Sequence, residues 1–347
     1  MSVSGDICTR KTLTVIVPAY NSASTLEKCL DSLYGEKVQD DVEILIINDG
    51  STDETESIAR KYERKHPSYY VISKENGGHG STINIASKLA NGKYLKVVDS
   101  DDWVVNFVEY VELLRNATAD VVFTHFYTVG VDDENIREYR MNAIPFGIEC
   151  SFENFWRNKK NVQEVCNFHG ITYRTEFYNS TNVHLSEKIS YEDQEYATLP
   201  FAKVNTVLPL DMHLYRYRIG NPNQSMSNTQ QVKNIDQMEA VLCKVIDLTP
   251  DNISSIVKDY FMFKKSAMML SYYMAVLIKN PNKKSGRKLV KDLDCKIRSL
   301  DSDLYDATRR KYRVCYILSY FGFADALKRK LQQYRLCKSI VHLLKWG

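Results

Sequence analysis

Four short apolar runs, each closed by a polar cluster, constrain this chain more than any other feature. Leu13–Val17 runs into Pro18-Ala19-Tyr20-Asn21, and Val42–Ile47 into Asn48-Asp49-Gly50-Ser51-Thr52-Asp53. Tyr69–Ile72 runs into Lys74-Glu75-Asn76-Gly77-Gly78-His79-Gly80, and Tyr94–Val98 into Asp99-Ser100-Asp101-Asp102-Trp103. Runs of this length without strict alternation suit strands buried on both faces. Helices fit between them. Ser24-x-x-Glu27 and Ser51-x-x-Glu54 read as capping boxes, Gly35 as a helix stop and Pro67 as a limit on the second helix. A third helix is expected over about 81–90, before Asn91-Gly92. Strands alternating with helices predict βαβ units and a mostly parallel, Rossmann-like α/β sheet. Ligands then bind beyond the carboxyl ends of the strands, where all four clusters lie.

A length of 347 residues predicts about two domains. The middle third is less regular, with a strand expected at Asp120–His125 and helical character at Glu149–Arg157 and after Tyr191. The run Gly220-Asn221-Pro222-Asn223 is a breaker cluster. Beyond it, aromatic, Met and Leu residues recur at helical spacing, so 1–220 is expected to form the α/β domain and 221–347 a helical C-terminal region. Hydrophobic content of 44% and charged content of 26% fit an ordinary globular chain. The longest apolar stretches, Ser266–Ile278 and Val314–Ala324, fall short of the roughly 18–20 residues that a membrane span needs.

One polar cluster after a strand is ordinary turn chemistry; four on one sheet edge point to a ligand. Asp99, Asp101 and Asp102 repel one another unless a cation neutralises them, and carboxylates with phosphates are the usual ligands of Mg²⁺ or Mn²⁺. The alternative is a helix N-cap, with the acids favouring the dipole of a helix beginning near Val104. The glycine run lacks the Lys-Ser/Thr of a P-loop, and no G-x-G-x-x-G follows the first strand.

In order and spacing, these blocks resemble the signature blocks of glycosyltransferase family 2, over about residues 12–105. The resemblance implies a GT-A fold, a nucleotide-sugar donor, a divalent cation and inversion at the anomeric carbon. It implies a nucleotide-sugar half at about 12–103 and an acceptor half at 104–220. It places Pro18, Ala19 and Tyr20 against the nucleobase, with Asp49 accepting a hydrogen bond from the base, commonly uracil. Asn76 and Gly77 would lie near the nucleoside, Asp99 at the ribose or the metal, and Asp101 on the cation. The family's general base sits in a Glu-Asp pair, matched here by Glu192-Asp193, so Asp193 is the expected base. Asn48 replaces the family's first acid, His79 is unusual, and Thr82-Ile83-Asn84 keeps the Asn of an Ala-Arg-Asn block without the Arg. Arg216 or Arg218 is a candidate phosphate clamp or a paired strand residue, and His213 a metal ligand or a structural histidine.

Net charge is +3, yet Arg309–Gly347 holds 10 Lys and Arg against one acid. Lys328-Arg329-Lys330, Arg335 and Lys338 interleave with Leu327, Leu331, Leu336, Ile340, Leu343 and Leu344, a basic amphipathic pattern suited to an anionic bilayer or to packing on a partner. No nucleic-acid recognition motif accompanies the charge. The eight cysteines form no C-x-x-C pair, and the N-terminus lacks signal-peptide order. The expectation is therefore a cytoplasmic, metal-dependent glycosyltransferase, peripheral on the inner membrane face, that uses a lipid-linked or polysaccharide acceptor. An Asp-x-Asp phosphatase is disfavoured by Trp103, and a non-catalytic nucleotide-sugar binder or membrane scaffold is the alternative.

Overall fold

The computed structural model describes residues 11–130, 132–220 and 227–320. The chain divides at Gly220 into two compact units. The first holds one sheet of ten strands: β1 (Leu13–Ala19), β2 (Val42–Asn48), β3 (Tyr69–Ser73), β4 (Tyr94–Val97), β5 (Trp103–Val104), β6 (Val121–Val129), β7 (Asn135–Tyr139), β8 (Cys150–Ser151), β9 (Ile171–Arg174) and β10 (Thr206–Arg218). Their order is β3-β2-β1-β4-β9-β6-β10-β5, with β7 on β6 and β8 on β10.

The half that the apolar runs predicted is parallel: β1 pairs with β2 and β4, and β2 with β3. All seven residues of β1 and of β2 are buried, as strands covered on both faces must be. The sheet as a whole is mixed, because β9 enters antiparallel between β4 and β6. Pro18 is tolerated inside β1 for a specific reason. Ile16 O accepts the Val98 N–H, so Pro18, two residues on, also faces β4, past the last pair Ile16–Val97. The missing N–H interrupts no ladder bond. Strand order reverses direction between β1 and β4, which opens a crevice at their carboxyl ends.

Helices α1 (Leu26–Ser32), α2 (Thr55–Lys65), α3 (His79–Leu89) and α4 (Phe107–Asn116) fill the connections. Neither predicted capping box forms. Ser51 Oγ accepts the Asn21 N–H (3.1 Å), Asp53 Oδ2 accepts the Ala23 N–H (3.1 Å) and Thr55 Oγ1 accepts the Ser22 N–H (2.8 Å). These bonds fasten the β1 and β2 loops together, so the would-be caps are spent on tertiary links. Asp53 Oδ1 also accepts the Thr55 N–H (3.0 Å) at the start of α2. Gly35 is extended rather than left-handed; a Cβ there would meet Val108 Cγ2 at 2.6 Å.

Residues 227–320 of the second unit are helical, with long helices at Ile235–Asp247, Ser255–Tyr273, Lys283–Leu300 and Ser302–Leu318. Ser254, Asn282 and Asp301 cap three of them by accepting backbone N–H bonds. Tyr260, Met269, Tyr272 and Tyr273 lie in its core. Among the described residues no helix is long and apolar enough to cross a membrane. The basic run from Lys328 to Lys338 lies outside the described residues.

Candidate active site

Four carboxyl-end loops line the crevice. After β1, Tyr20 is 53% exposed, whereas Pro18 and Ala19 are buried within the strand. Of that trio only Tyr20 presents a side chain outward. After β2, Asp49 is buried beneath the glycine loop. Its Oδ1 accepts the Gly77 N–H (2.9 Å) and the Lys74 ammonium, and its Oδ2 accepts the Gly78 N–H (2.8 Å). Asn76 Nδ2 donates to Asp49 O (3.0 Å). Gly50, at φ +73°, lets the two loops meet; a Cβ there would lie 2.9 Å from Asn76 N. A carboxylate offers about four acceptor positions, of which these donors take three. Lys74 was missed in the sequence, although it stands directly before the Glu-Asn-Gly-Gly block.

The acidic loop after β4 folds back on itself, with Asp102 N–H donating to Asp99 O (2.9 Å). Asp102 is buried; its Oδ2 accepts the Tyr215 hydroxyl and its Oδ1 the Arg218 N–H, both at 2.7 Å. Burial, then the charges of Asp101 and Asp99, push its carboxyl well above the usual range. Burial also acts to raise Asp99, but the neighbouring His79 and His169 outweigh it and hold the carboxyl low. The alternative of helix capping does not apply, because α4 begins only at Phe107, behind Asn106.

One oxygen each of Asp99 and Asp102 and one His169 nitrogen lie within 4.8 Å of one another. The sequence pointed to Asp99 with Asp101; the structure gathers Asp99, Asp102 and His169, and half-buried Asp101 stands outside that group. The difference comes from the tight Asp99–Asp102 turn and from His169, delivered by the chain just before β9. Burial pushes His169 down to about 4, so the imidazole is neutral and free to act as a donor at neutral pH. Two mutually repelling carboxylates and a neutral imidazole fit a hard-to-borderline divalent cation such as Mg²⁺ or Mn²⁺.

The far wall is the Glu192-Asp193 segment. Glu192 is buried, and its Oε1 lies 2.6 Å from His79 Nδ1. His79 Nε2 lies 2.8 Å from Asp99 Oδ1. One imidazole thus joins the acidic loop to the Glu-Asp pair. Burial opposes the charged ring, but Asp99 and Glu192 outweigh it and hold His79 well above the ordinary histidine range. Asp193, half-buried, opens a short helix and accepts from Gln194 Nε2 (2.8 Å). The Tyr217 hydroxyl is raised by burial, then by the charges of Asp102, Asp193, Asp99 and Asp101. His213 does not join them; its Nε2 meets Glu138 (2.7 Å) and its ring stacks on Tyr127. Arg216 packs over Tyr127, and the Arg218 guanidinium lies over Trp103.

Residues 14–180 match the family model described as Glycosyl transferase family 2. The chain is 29% identical over 214 residues to the uncharacterized glycosyltransferase EpsJ of Bacillus subtilis, covering 61% of this chain and 62% of that protein. It is 37% identical over 123 residues to chondroitin synthase of Pasteurella multocida, covering 35% of this chain and 13% of that protein. The chain thus spans less than two thirds of the length of these curated relatives. Its fold is similar to S. aureus TarS 1–349 in complex with UDP-GlcNAc, with a TM-score of 0.66, 18% identity and 92% of each chain covered. Asp193 lies beyond the matched segment, while the Tyr20, Asp49 and acidic loops lie inside it. By family match, motif order and sheet topology together, residues 14–180 carry a domain of the glycosyl transferase family 2 kind on a GT-A-like fold.

Proposed function

We propose that this enzyme moves a sugar from a UDP-sugar to a hydroxyl of a polysaccharide or lipid-linked acceptor in cell-surface glycan synthesis, with inversion. The observation that supports the reading is the His79 bridge between Asp99 and Glu192, the residue beside Asp193. Asp193 takes the proton of the acceptor hydroxyl; the oxygen attacks the anomeric carbon from the face opposite the diphosphate. The bond from that carbon to the phosphate oxygen breaks, and the nucleotide diphosphate leaves with the electron pair. Asp99, Asp102 and His169, with Asp101 beside them, would hold a divalent cation, which would supply positive charge for the departing diphosphate. Tyr20 offers its exposed ring to the nucleobase, with Pro18 and Ala19 as the buried strand behind it. Asp49 accepts from the base through its remaining position, held by Gly77, Gly78 and Lys74, while Asn76 lines the nucleoside side.

The UDP-GlcNAc bound to TarS and the polymer named for chondroitin synthase support this donor and acceptor class. The basic residues of Arg309–Gly347 support a peripheral seat on the inner membrane face. The test is calorimetry with UDP, with and without Mn²⁺, followed by turnover of a panel of UDP-, GDP- and dTDP-sugars. Asp193→Asn is expected to bind UDP as the wild type does and to lose roughly 10²–10⁴-fold in transfer. Wild-type turnover in that variant removes Asp193 as the base.

A further inference from the structure

The glycine run after β3 and the Asn five residues beyond His79 share one task. Gly77 O accepts the Lys188 N–H (2.8 Å). Gly78, the N-cap of α3 at φ +82°, comes so close that a Cβ would lie 2.8 Å from Lys188 N. A Cβ on Gly80 would lie 2.1 Å from Ser186 O and 3.0 Å from Glu192 Cγ. Asn84 pairs with Leu185 in both directions: Nδ2 donates to Leu185 O, and the Leu185 N–H donates to Oδ1, each at 2.9 Å. Its Nδ2 also reaches Glu187 Oε1 (3.1 Å). One end of α3 therefore grips the segment 185–192, immediately before Asp193. Glu195, fully buried, stiffens that segment by accepting the Ser186 N–H (2.8 Å) and hydroxyl (2.6 Å).

His79 stands in the middle of this grip and reaches beyond it. Its two nitrogens sit on different edges of a rigid ring, one on Glu192 and one on Asp99, and Phe168 packs against the ring at a centroid distance of 5.7 Å. A rigid spacer between two carboxylates sets a separation, which a flexible side chain would not. We propose that His79 is a positioning residue that sets where the Asp193-bearing segment stands relative to Asp99, with Gly77, Gly78, Gly80 and Asn84 as the clamp that makes the setting stiff. This rests on the reading of Asp193 as base and Asp99 as donor-side. It accounts for two of the three departures from the family pattern, His79 and the Asn84 that stands without a neighbouring Arg, as acceptor-side devices rather than phosphate contacts.

Asn at position 79 puts an amide nitrogen near the place of Nδ1 and keeps the Glu192 contact; Gln reaches the place of Nε2 and keeps the Asp99 contact. Two readouts test the proposal in the full chain. The first is amide hydrogen exchange over 185–196 without any ligand. His79→Gln is expected to speed exchange there about tenfold or more, and His79→Asn to leave it near wild type. The second is steady-state turnover with the best donor of the nucleotide-sugar panel, alongside UDP and Mn²⁺ calorimetry. His79→Gln should keep UDP affinity and donor KM within about threefold while kcat falls about 100-fold, and His79→Asn, which frees the Asp99 end of the spacer, should lose kcat to a similar extent without the faster exchange. Faster exchange in both variants, with UDP affinity and kcat falling together and tracking a lowered Tm, would mean a purely structural residue and overturn the proposal, as would wild-type kcat in His79→Asn. Wild-type exchange and kcat in His79→Gln would overturn it as well. If Asp193→Asn keeps full turnover, the base assignment fails, and the exchange readout still judges the strut by itself.

Discussion

Replacing Gly80 by Ala tests the grip of α3 most sharply, because local preference and tertiary packing predict opposite signs. Gly80 is buried and is the second residue of α3. Inside a helix, Ala is favoured over Gly by about 1 kcal/mol. The added Cβ, however, would stand 2.1 Å from Ser186 O and 3.0 Å from Glu192 Cγ. Ordinary carbon contacts begin near ~3.5 Å, so the segment must retreat by more than about 1 Å. Ser186 is not free to do so. It is bonded to Glu195, and Leu185 and Lys188 on either side are bonded to Asn84 and Gly77. Overpacking of this kind costs about 1–3 kcal/mol, and each strained hydrogen bond adds about 1 kcal/mol. After the helical gain, a net destabilisation of about 1–3 kcal/mol is expected. It should appear in urea unfolding as a lower midpoint at unchanged slope. UDP affinity should hold, because Tyr20 and Asp49 are untouched, while turnover falls about 100-fold through displacement of Asp193. A Gly80→Ala variant at least as stable as wild type, with full turnover, would show that the contact is not tight and refute the clamp.

Three further outcomes follow from the geometry. His169→Ala should weaken Mn²⁺-dependent UDP binding by more than the roughly 10–100-fold that loss of a supporting partner costs, and by more than Asp101→Ala does; the reverse order in calorimetry restores the Asp99–Asp101 pair. Tyr215→Phe deprives buried Asp102 of a hydroxyl and should cost about 1.5–3 kcal/mol in urea unfolding, and an unchanged midpoint would contradict this. His125 is fully buried, and burial pushes it down to about 4, below the roughly 6.5 of an unfolded histidine. Between those values the unfolded chain takes the proton first, so stability is present above about pH 6.5 and drains away toward pH 4, by at most about 1.4 kcal/mol per pH unit. His125→Phe should flatten that part of the pH–stability curve, and a wild-type slope in the variant would rule out His125 as its source.

The strand frame was legible because its signal is local. Apolar β-branched runs of the right length and helix-sized spacers between them set β1 to β4 and their carboxyl-end loops without help from distant residues. The helix starts were less legible, because Ser51, Asp53 and Thr55 had two uses, and bonding the Asn21–Ala23 loop prevailed over local caps. The β9 insertion that makes the sheet mixed was not legible, because antiparallel pairing with β4 and β6 depends on partners far along the chain.

At the site the division runs along the same line. Residue order alone determined that Tyr20, Asp49, the glycine run and the acids would crowd one sheet edge, since a buried parallel strand delivers its following loop to a known end. Tertiary structure alone decided that Asp102 rather than Asp101 joins Asp99, that His169 completes the group, that Lys74 covers Asp49 and that His79 reaches Glu192. Those outcomes are set by contacts across tens of residues at ångström precision, where side-chain direction and burial matter. Periodicity and spacing carry information about faces and ends, and none about which of several neighbouring carboxylates turns inward.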